Sequence, residues 1–201
     1  MNTALKHVLI MSATAFITVG TVIANVDNAV DINDATFQTS SELSSNEQTL
    51  DNNTLVFLKN NSNSYSNNNI SKSIAGPNFK DIDNNWKDSY EFTLYNQGDK
   101  DITVISKANY VEDPDGLRDD IFVALHNWND KNDNGKFDDS ELGEQLEYNS
   151  ILRWRNDTFN LGNLESKSAN KYVLVFDGSG ITDANLDKKA IYSFRFYPLV
   201  E

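Results

Sequence analysis

The sequence contains no cysteine among its 201 residues. Disulfide scaffolds, thiolate metal sites and cysteine nucleophiles are therefore excluded. Histidine is almost as scarce, since only His7 and His126 are present and His7 lies in a predicted leader. A zinc site with two histidine ligands in one mature chain is not expected. The HExxH, GxSxG, GxGxxG and P-loop motifs are absent as well, so any catalysis would depend mainly on carboxylates, and we predict that the protein is not an enzyme.

Positive charge is also in short supply. The chain has 17 Lys and Arg against 30 Asp and Glu, which gives a formal net charge of −13 at pH 7. Nucleic acids and anionic membrane surfaces are bound through clustered cations, so neither is expected as a partner. The excess of acidic residues suits calcium or a basic partner, and it equally suits a protein that only needs a soluble exterior.

Residues 1–24 have the pattern of a secretory signal peptide. Lys6 and His7 form a short, weakly basic region, and an uncharged, largely apolar run follows them. That run is shorter than the ~20 residues needed to span a membrane, so a cleaved leader is favoured over a retained anchor. Cleavage after Ala24 or after Ala29 would give a secreted, extracellular or cell-surface protein that meets the membrane only transiently, through its leader.

The mature chain divides into two predicted parts. Residues 25–45 are polar with few apolar anchors, and we expect them to form an N-terminal segment detached from the strand-rich body. A disordered mature terminus is the alternative for this segment. Residues 46–201 are predicted to form one β-sandwich domain. Within it, residues 60–73 are rich in Asn and Ser, a composition that cannot bury a core and so predicts an exposed loop.

Short runs of β-branched and aromatic residues, separated by turn residues, predict an all-β protein. No long helical period interrupts them, so we expect an antiparallel, jelly-roll-like β-sandwich. The predicted strands are residues 54–58, 90–95, 102–105, 121–125, 148–154, 171–176 and 190–200.

Residues 130–141 fit the twelve-residue calcium-loop pattern at every diagnostic position. Gly135 stands at the sixth position, where the chain turns sharply, and Phe137 supplies the apolar residue at the eighth. Two of the ligands are Asn, which lowers the negative charge and favours a weak-to-moderate affinity suited to a calcium-rich exterior. The predicted Ca²⁺ ligands are Asp130, Asn132, Asn134, the carbonyl of Lys136, Asp138 and Glu141.

The flanks of this loop differ from those of an EF-hand, in which helices surround the loop. Residues 121–125 approach it as an apolar, strand-like run, and residues 142–146 leave it with Gly143 in their midst. We therefore predict an EF-hand-like calcium loop inserted between strands. An Asn-Gly hairpin with solvated acids is the alternative. A second acidic cluster at residues 113–120 contains a Pro-Asp-Gly turn that explains it without an ion, and a second ion site there stays open.

Two further residue sets bear on partners. The tryptophans could stack on sugars, although such residues more often fill a sandwich core: Trp86, Trp128 and Trp154. Four Asn-x-Ser/Thr sites are candidate glycan positions if the host glycosylates secreted proteins: Asn52, Asn60, Asn69 and Asn156.

The order of these features resembles the TasA/camelysin family of secreted bacterial and archaeal proteins. The segments that carry the resemblance are DATF at 34–37, YEFTLYNQG at 90–98, FVAL at 122–125 leading into the Asp/Asn-Gly loop and Phe137-Asp138, KYVLVF at 171–176 and SFRF at 193–196. The Asn/Ser-rich loop departs from the compact pattern of the family. Some members are labelled metallopeptidases, and that activity is not carried over because this sequence has no recognisable zinc site.

The resemblance implies a jelly-roll subunit that polymerises into extracellular matrix filaments or pili. In such fibres the N-terminal segment of one subunit completes the sheet of its neighbour by strand addition, and residues 25–37 match that donor segment here. The leading hypothesis is therefore a homopolymeric subunit of a filament or biofilm matrix fibre, stabilised by calcium. The alternative is a monomeric secreted calcium-binding adhesin or carbohydrate-binding module. A secreted hydrolase is the third hypothesis, for which no catalytic constellation stands out.

Overall fold

A computed structural model describes residues 36–39, 54–77, 79, 82–186 and 188–199, all of which belong to one compact unit, Asn33–Glu201. The predicted signal peptide, both candidate cleavage positions, Asn52 and most of the predicted N-terminal segment lie outside the described residues. None of the helices found within these ranges has the length and apolar character needed to cross a membrane.

The described residues form eleven strands and one short α-helix, α1 (Ile151–Asn156). The strands are β1 (Thr36–Thr39), β2 (Leu55–Leu58), β3 (Ile70–Ser71), β4 (Ser73–Ala75), β5 (Lys87–Asn96), β6 (Ile102–Glu112), β7 (Phe122–Trp128), β8 (Leu142–Ser150), β9 (Phe159–Leu164), β10 (Ala169–Asp177) and β11 (Ile191–Leu199). Short 3₁₀ turns lie at Lys59–Asn61, Leu117–Asp119, Asp139–Glu141 and Asp183–Asn185.

The strands form two sheets. The first sheet has the order β4-β1-β11-β6-β9, and the second has the order β3-β2-β5-β10-β7-β8. Strand pairs are antiparallel apart from β1 and β11, which run parallel. The predicted all-β class and two-sheet sandwich are confirmed at this level.

The core lies between the inner faces of the two sheets, and aromatic rings dominate it. In β11, Phe194 and Phe196 are fully buried whereas Arg195 between them is exposed, as the two-residue period of a strand requires. Phe196 meets Phe92 of β5 with ring centroids 4.9 Å apart. Burying such side chains contributes ~1.5–3 kcal/mol each, so this cluster is a main source of stability.

The predicted strand at 148–154 is confirmed for residues 148–150, which lie in β8, and is wrong for residues 151–154. Strand β8 ends at Ser150, whose Oγ accepts a hydrogen bond from the Arg153 amide and caps helix α1. Ile151 and Trp154 are both 0% exposed and, three positions apart, share the inner face of that helix. Their apolar character was mistaken for a strand signal. Strand β9 was not predicted, because its run Phe159–Leu164 mixes Asn and Gly with its buried residues.

The Asn/Ser-rich segment is more structured than predicted. The segment 60–73 begins within the 3₁₀ turn Lys59–Asn61, and it ends with strand β3 and the first residue of β4. Strand β3 pairs with β2, and β4 pairs with β1. Backbone hydrogen bonding to neighbouring strands thus orders a segment whose side chains contribute little to a core.

The predicted detachment of the N-terminal segment is also wrong for the residues that the structure describes. Strand β1 lies inside the first sheet, between β4 and β11. Phe37 is 0% exposed, and its ring centroid lies 5.4 Å from that of Phe194 and 5.6 Å from that of Phe92. Phe37 therefore anchors this short strand in the core. The polar residues that surround Phe37 in the sequence did not indicate a buried strand.

Candidate metal centre

The predicted calcium loop connects β7 to β8, two neighbouring strands at one edge of the second sheet. The approach is a strand, as predicted. The exit is the 3₁₀ turn Asp139–Glu141, which leads directly into β8. Gly143 belongs to that strand, and a Cβ there would lie 2.6 Å from the Asn127 carbonyl oxygen, so close strand contact explains this glycine. The helices that flank the loop of an EF-hand are not part of this arrangement.

The first half of the loop is wound tightly around Asp130. One carboxylate oxygen of Asp130 accepts from the Asn134 amide and the other from the Gly135 amide, each at 3.1 Å. The Asn132 side-chain oxygen also accepts from the Asn134 amide, at 2.9 Å, and the Asn134 side-chain oxygen accepts from the Lys136 amide at 2.6 Å. These oxygens therefore satisfy backbone amides that a sharp turn leaves unpaired.

The Asn/Ser-rich segment lies against this turn. The Asn61 side chain donates to the Gly135 carbonyl at 3.3 Å, and the Asn63 side chain donates to the Asp133 carboxylate at 2.8 Å. Gly135 has φ +68°, and a Cβ there would lie 2.8 Å from the Asn60 carbonyl oxygen. Glycine is thus required both by the turn and by the close approach of the second segment. Sequence reasoning treated the two segments as unrelated.

Asp138 turns its carboxylate toward the start of the 3₁₀ turn. One of its oxygens accepts from the Ser140 amide at 2.8 Å and from the Ser140 hydroxyl at 2.5 Å. These two hydrogen bonds lower the pKa of Asp138 below its ordinary value. The carboxylate acts here as a helix cap, so binding an ion through the oxygen that holds Ser140 would need a local rearrangement.

Glu141, the predicted bidentate ligand, has a buried carboxylate and is 1% exposed. One oxygen accepts from the Asn132 side-chain amide at 3.0 Å, and the other accepts from the Trp128 indole N–H at 3.1 Å. No ion pair joins it to a Lys, Arg or His of the described residues. A buried carboxylate with two neutral donors is a group that a cation would stabilise, so this residue fits the predicted metal.

Lys171 was missed by the sequence analysis. It precedes Tyr172 of β10, which pairs with Asn127 of β7, and this register brings it to the start of the loop. Its ammonium forms an ion pair with Asp130, and the two side chains are 12% and 2% exposed. The available signal was a charged residue at the beginning of an otherwise apolar strand, but no local pattern connects it to a loop some forty positions earlier.

The electrostatic state of Asp130 follows from these contacts. Burial by itself would raise the pKa of this carboxyl group, but the hydrogen bonds from Lys171, Gly135 and Asn134 outweigh burial, and the net pKa is lowered. Asp130 is therefore held as a carboxylate. A charged oxygen ligand is what a hard cation such as Ca²⁺ requires.

The predicted ligands are only partly gathered. The Asn132 side-chain amide donates a hydrogen bond to Glu141. Asp130 instead pairs with Lys171, and Asp138 accepts from Ser140. In the described part of the chain, no group of three or more His, Cys, Asp or Glu side chains is arranged to hold a metal ion. Half of the predicted ligands are not side chains of these four types, since they are the side-chain amides of Asn132 and Asn134 and the backbone carbonyl of Lys136. Calcium binding at this loop stays a prediction.

The contacts of Asp113 in the second acidic cluster agree with the turn alternative. One Asp113 oxygen accepts from the Leu117 amide at 2.8 Å, and the other pairs with Arg118 at 2.8 Å. Gly116 has φ +77°, as a tight turn requires. The acidic residue at the head of this cluster thus already has its partners.

The tryptophans are buried or half-buried in the fold, and none of the three is fully exposed. Trp154 is 0% exposed and stacks on Phe159 with centroids 4.3 Å apart, and Trp128 is 4% exposed. Trp86 is half-buried and contacts Phe79. Of the candidate glycan sites, Asn60 and Asn156 are exposed. The Asn69 side chain is hydrogen-bonded within its own turn, to the Ser64 carbonyl and the Ser66 amide.

Comparison with known proteins adds little. No family model and no curated protein sequence matches the chain. Among solved structures, the chain is similar to the ASH / PapD-like domain of human CEP192 (PapD-like domain 7), at 12% sequence identity. The similarity covers 80% of this chain and 95% of that one, with a TM-score of 0.26. This TM-score is too low to support an argument, so the sandwich assignment rests on the strand pairing described above.

Proposed function

We propose that the mature chain is a structural subunit, not an enzyme, of an extracellular filament or biofilm matrix fibre, and that copies assemble by strand addition. The observation that supports this most is the position of β1. This four-residue strand fills the middle of the first sheet, parallel to β11 and antiparallel to β4. The sequence resemblance to secreted filament proteins points to the same segment.

The sheet needs β1 to be complete. Without it, β4 would lose the strand it pairs with, β11 would keep only β6, and the aromatic cluster would lose Phe37, which is fully buried. The strand can come from the same chain or from a neighbouring copy, because both would form the same hydrogen bonds and fill the same space. Exchange of β1 between copies would turn a closed jelly-roll-like monomer into a chain of linked subunits.

The calcium loop would have a stabilising role in such a subunit. Calcium bound there would tie the β7–β8 connection together at the edge of the second sheet, away from the strand that is exchanged. Ca²⁺ supplies a compact double positive charge that offsets the buried carboxylates. The residues proposed to hold it are Asp130, Asn132, Asn134, the Lys136 carbonyl, Asp138 and Glu141.

Disulfide trapping tests this proposal cleanly because the chain has no cysteine. Gln38 and Ser73 are antiparallel partners on β1 and β4, at a separation that a disulfide spans. A mixture of the single variants Gln38→Cys and Ser73→Cys should form disulfide-linked pairs of chains when filaments assemble. The double variant, oxidised as a monomer, should lock β1 in its own sheet and prevent filaments until a reductant is added.

A matched control is the pair Ser89→Cys and Val175→Cys, partners on the two central strands β5 and β10. Oxidation of this pair should leave assembly unchanged, because these strands are not exchanged. Electron microscopy and size-exclusion chromatography provide the readout. A mature chain that stays strictly monomeric with calcium present and its N-terminal segment intact would refute the filament proposal. Glycan binding by that monomer would then support the adhesin alternative.

A further inference from the structure

Lys171 of strand β10 places a positive charge against the first residue of a loop predicted to bind a cation. Its side chain is 12% exposed, and its ammonium pairs with Asp130, the residue at the first ligand position. The two lysines of the loop itself, Lys131 and Lys136, are both exposed. The charge that faces the buried end of the loop therefore comes from strand β10, outside the motif.

The same ammonium connects the two ends of the loop through an aromatic ring. The Lys171 ammonium lies 4.9 Å from the centroid of the Trp128 ring, at a distance where a cation is attracted to the ring face. The indole N–H of Trp128 in turn donates to Glu141, the residue at the last ligand position. Asp130, Lys171, Trp128 and Glu141 thus form a continuous set of contacts that closes the loop.

We propose that Lys171 is the internal counter-cation of this loop, that it holds the loop closed without calcium, and that calcium must displace it from Asp130. The inference rests on the calcium site proposed above. A divalent ion and an ammonium on the same carboxylate repel each other, so the ion pair and the bound ion compete for Asp130. Any free energy by which the Lys171–Asp130 ion pair stabilises the calcium-free protein reduces the free energy of calcium binding, because such coupling is reciprocal.

This arrangement predicts a loop that keeps its wound shape and binds calcium only weakly. The turn around Asp130 is preserved by the backbone amides of Asn134 and Gly135, which do not depend on the lysine. Removing the positive charge therefore leaves the turn around Asp130 wound but removes the competitor for its carboxylate. Lys171 would act as a positioning residue that sets the calcium concentration at which the loop fills.

The test compares Lys171→Met with the wild-type mature protein after removal of metal by EDTA. Lys171→Met should lower the melting temperature in EDTA, since the Asp130 ion pair is lost. The same variant should bind calcium about tenfold more tightly in a calorimetric titration with CaCl₂. The proposal thus predicts a lower melting temperature together with a higher calcium affinity. A purely structural role of Lys171 would lower both the melting temperature and the calcium affinity.

Two controls accompany the variant. Lys136→Met removes the same charge from an exposed position of the loop and should change calcium affinity by less than about twofold, because salt screens exposed charges. If Lys171→Met does not fold, Lys171→Gln removes the charge and keeps a hydrogen-bond donor, and it should show the same tighter binding. Lys171→Arg keeps the charge and should bind calcium much as the wild type does.

A spectroscopic readout reports the displacement directly. Calcium should change the tryptophan fluorescence of the wild type as the ammonium leaves the Trp128 ring, and Trp128→Phe should remove that change. Calcium affinity that is equal or weaker in Lys171→Met would overturn the proposal while leaving the calcium site standing. No calcium binding in either protein would overturn both. None of these measurements depends on filament assembly, so that part of the proposed function can fail independently.

Discussion

Trp128 donates its indole N–H to a Glu141 carboxylate oxygen across 3.1 Å, and the carboxylate is almost fully buried. The contact orients the last predicted ligand from the end of β7, before the loop begins. Its other oxygen is held by Asn132 from within the loop. A buried charge that depends on neutral donors is costly to maintain, so a cation beside it should stabilise the protein measurably.

Calcium should raise the melting temperature of the mature protein. A ligand that binds only the folded state adds about 2.7 kcal/mol to the free energy of unfolding at one hundred times its dissociation constant. Glu141→Gln should lose most of this gain because it removes the buried charge at the last ligand position. Glu144→Gln, at an exposed position of strand β8 three residues further on, should keep it. Differential scanning calorimetry with EDTA or CaCl₂ measures the effect, and an unshifted wild type would rule out the site.

Gly135→Ala should destabilise the protein by about 1–3 kcal/mol, since the turn has positive φ and a Cβ would meet the Asn60 carbonyl oxygen. Gly162→Ala is the matched control, because Gly162 has φ +91° with no atom within 4 Å of a built Cβ. Gly162→Ala should lower the free energy of unfolding by less than Gly135→Ala does. The difference between the two losses measures the contact of Gly135 with the Asn/Ser-rich segment. Urea unfolding of both variants gives the two values, and equal losses would show that this contact is unimportant.

Phe37→Ala should destabilise the monomer by about 3–5 kcal/mol, the usual loss for a large aromatic residue in a core. Gln38→Ala, at a half-exposed position of the same strand, should change the free energy of unfolding by no more than about 0.5 kcal/mol. Chemical unfolding of purified monomer provides the comparison. Wild-type stability in Phe37→Ala would mean that β1 does not occupy its own sheet in solution.

Acid should remove stability that Asp130 contributes. Because its folded-state pKa lies below the ordinary value of 3.8, this contribution is complete above that value and is lost as the pH falls through the folded-state pKa. Asp130→Asn should therefore show a smaller loss of stability between about pH 5 and pH 2 than the wild type, both measured in EDTA by urea unfolding. Asp99→Asn, with a side chain 92% exposed, should follow the wild-type profile. Parallel losses in all three proteins would contradict the prediction.

Local patterns predicted most of the sheet structure. Residues 90–95 and 171–176 are dense in aromatic and β-branched residues, and both lie in long strands of the second sheet. The pattern failed at 148–154, where a Ser cap starts a helix that holds Trp154 inward. It also failed at Phe37, a single aromatic residue in a polar segment. Both errors arise because burial depends on what packs against a residue, which composition does not report.

The spacing of oxygen side chains around Gly135 is a local property, and the sequence by itself determined that this loop winds tightly. Tertiary structure alone decided what faces the loop. Lys171 reaches Asp130 through the register of β10 and β7, and Asn61 and Asn63 reach the loop from the Asn/Ser-rich segment. The place of β1 beside β11 joins opposite ends of the chain. Such contacts depend on which strands pair, and strand pairing follows from packing of the whole core.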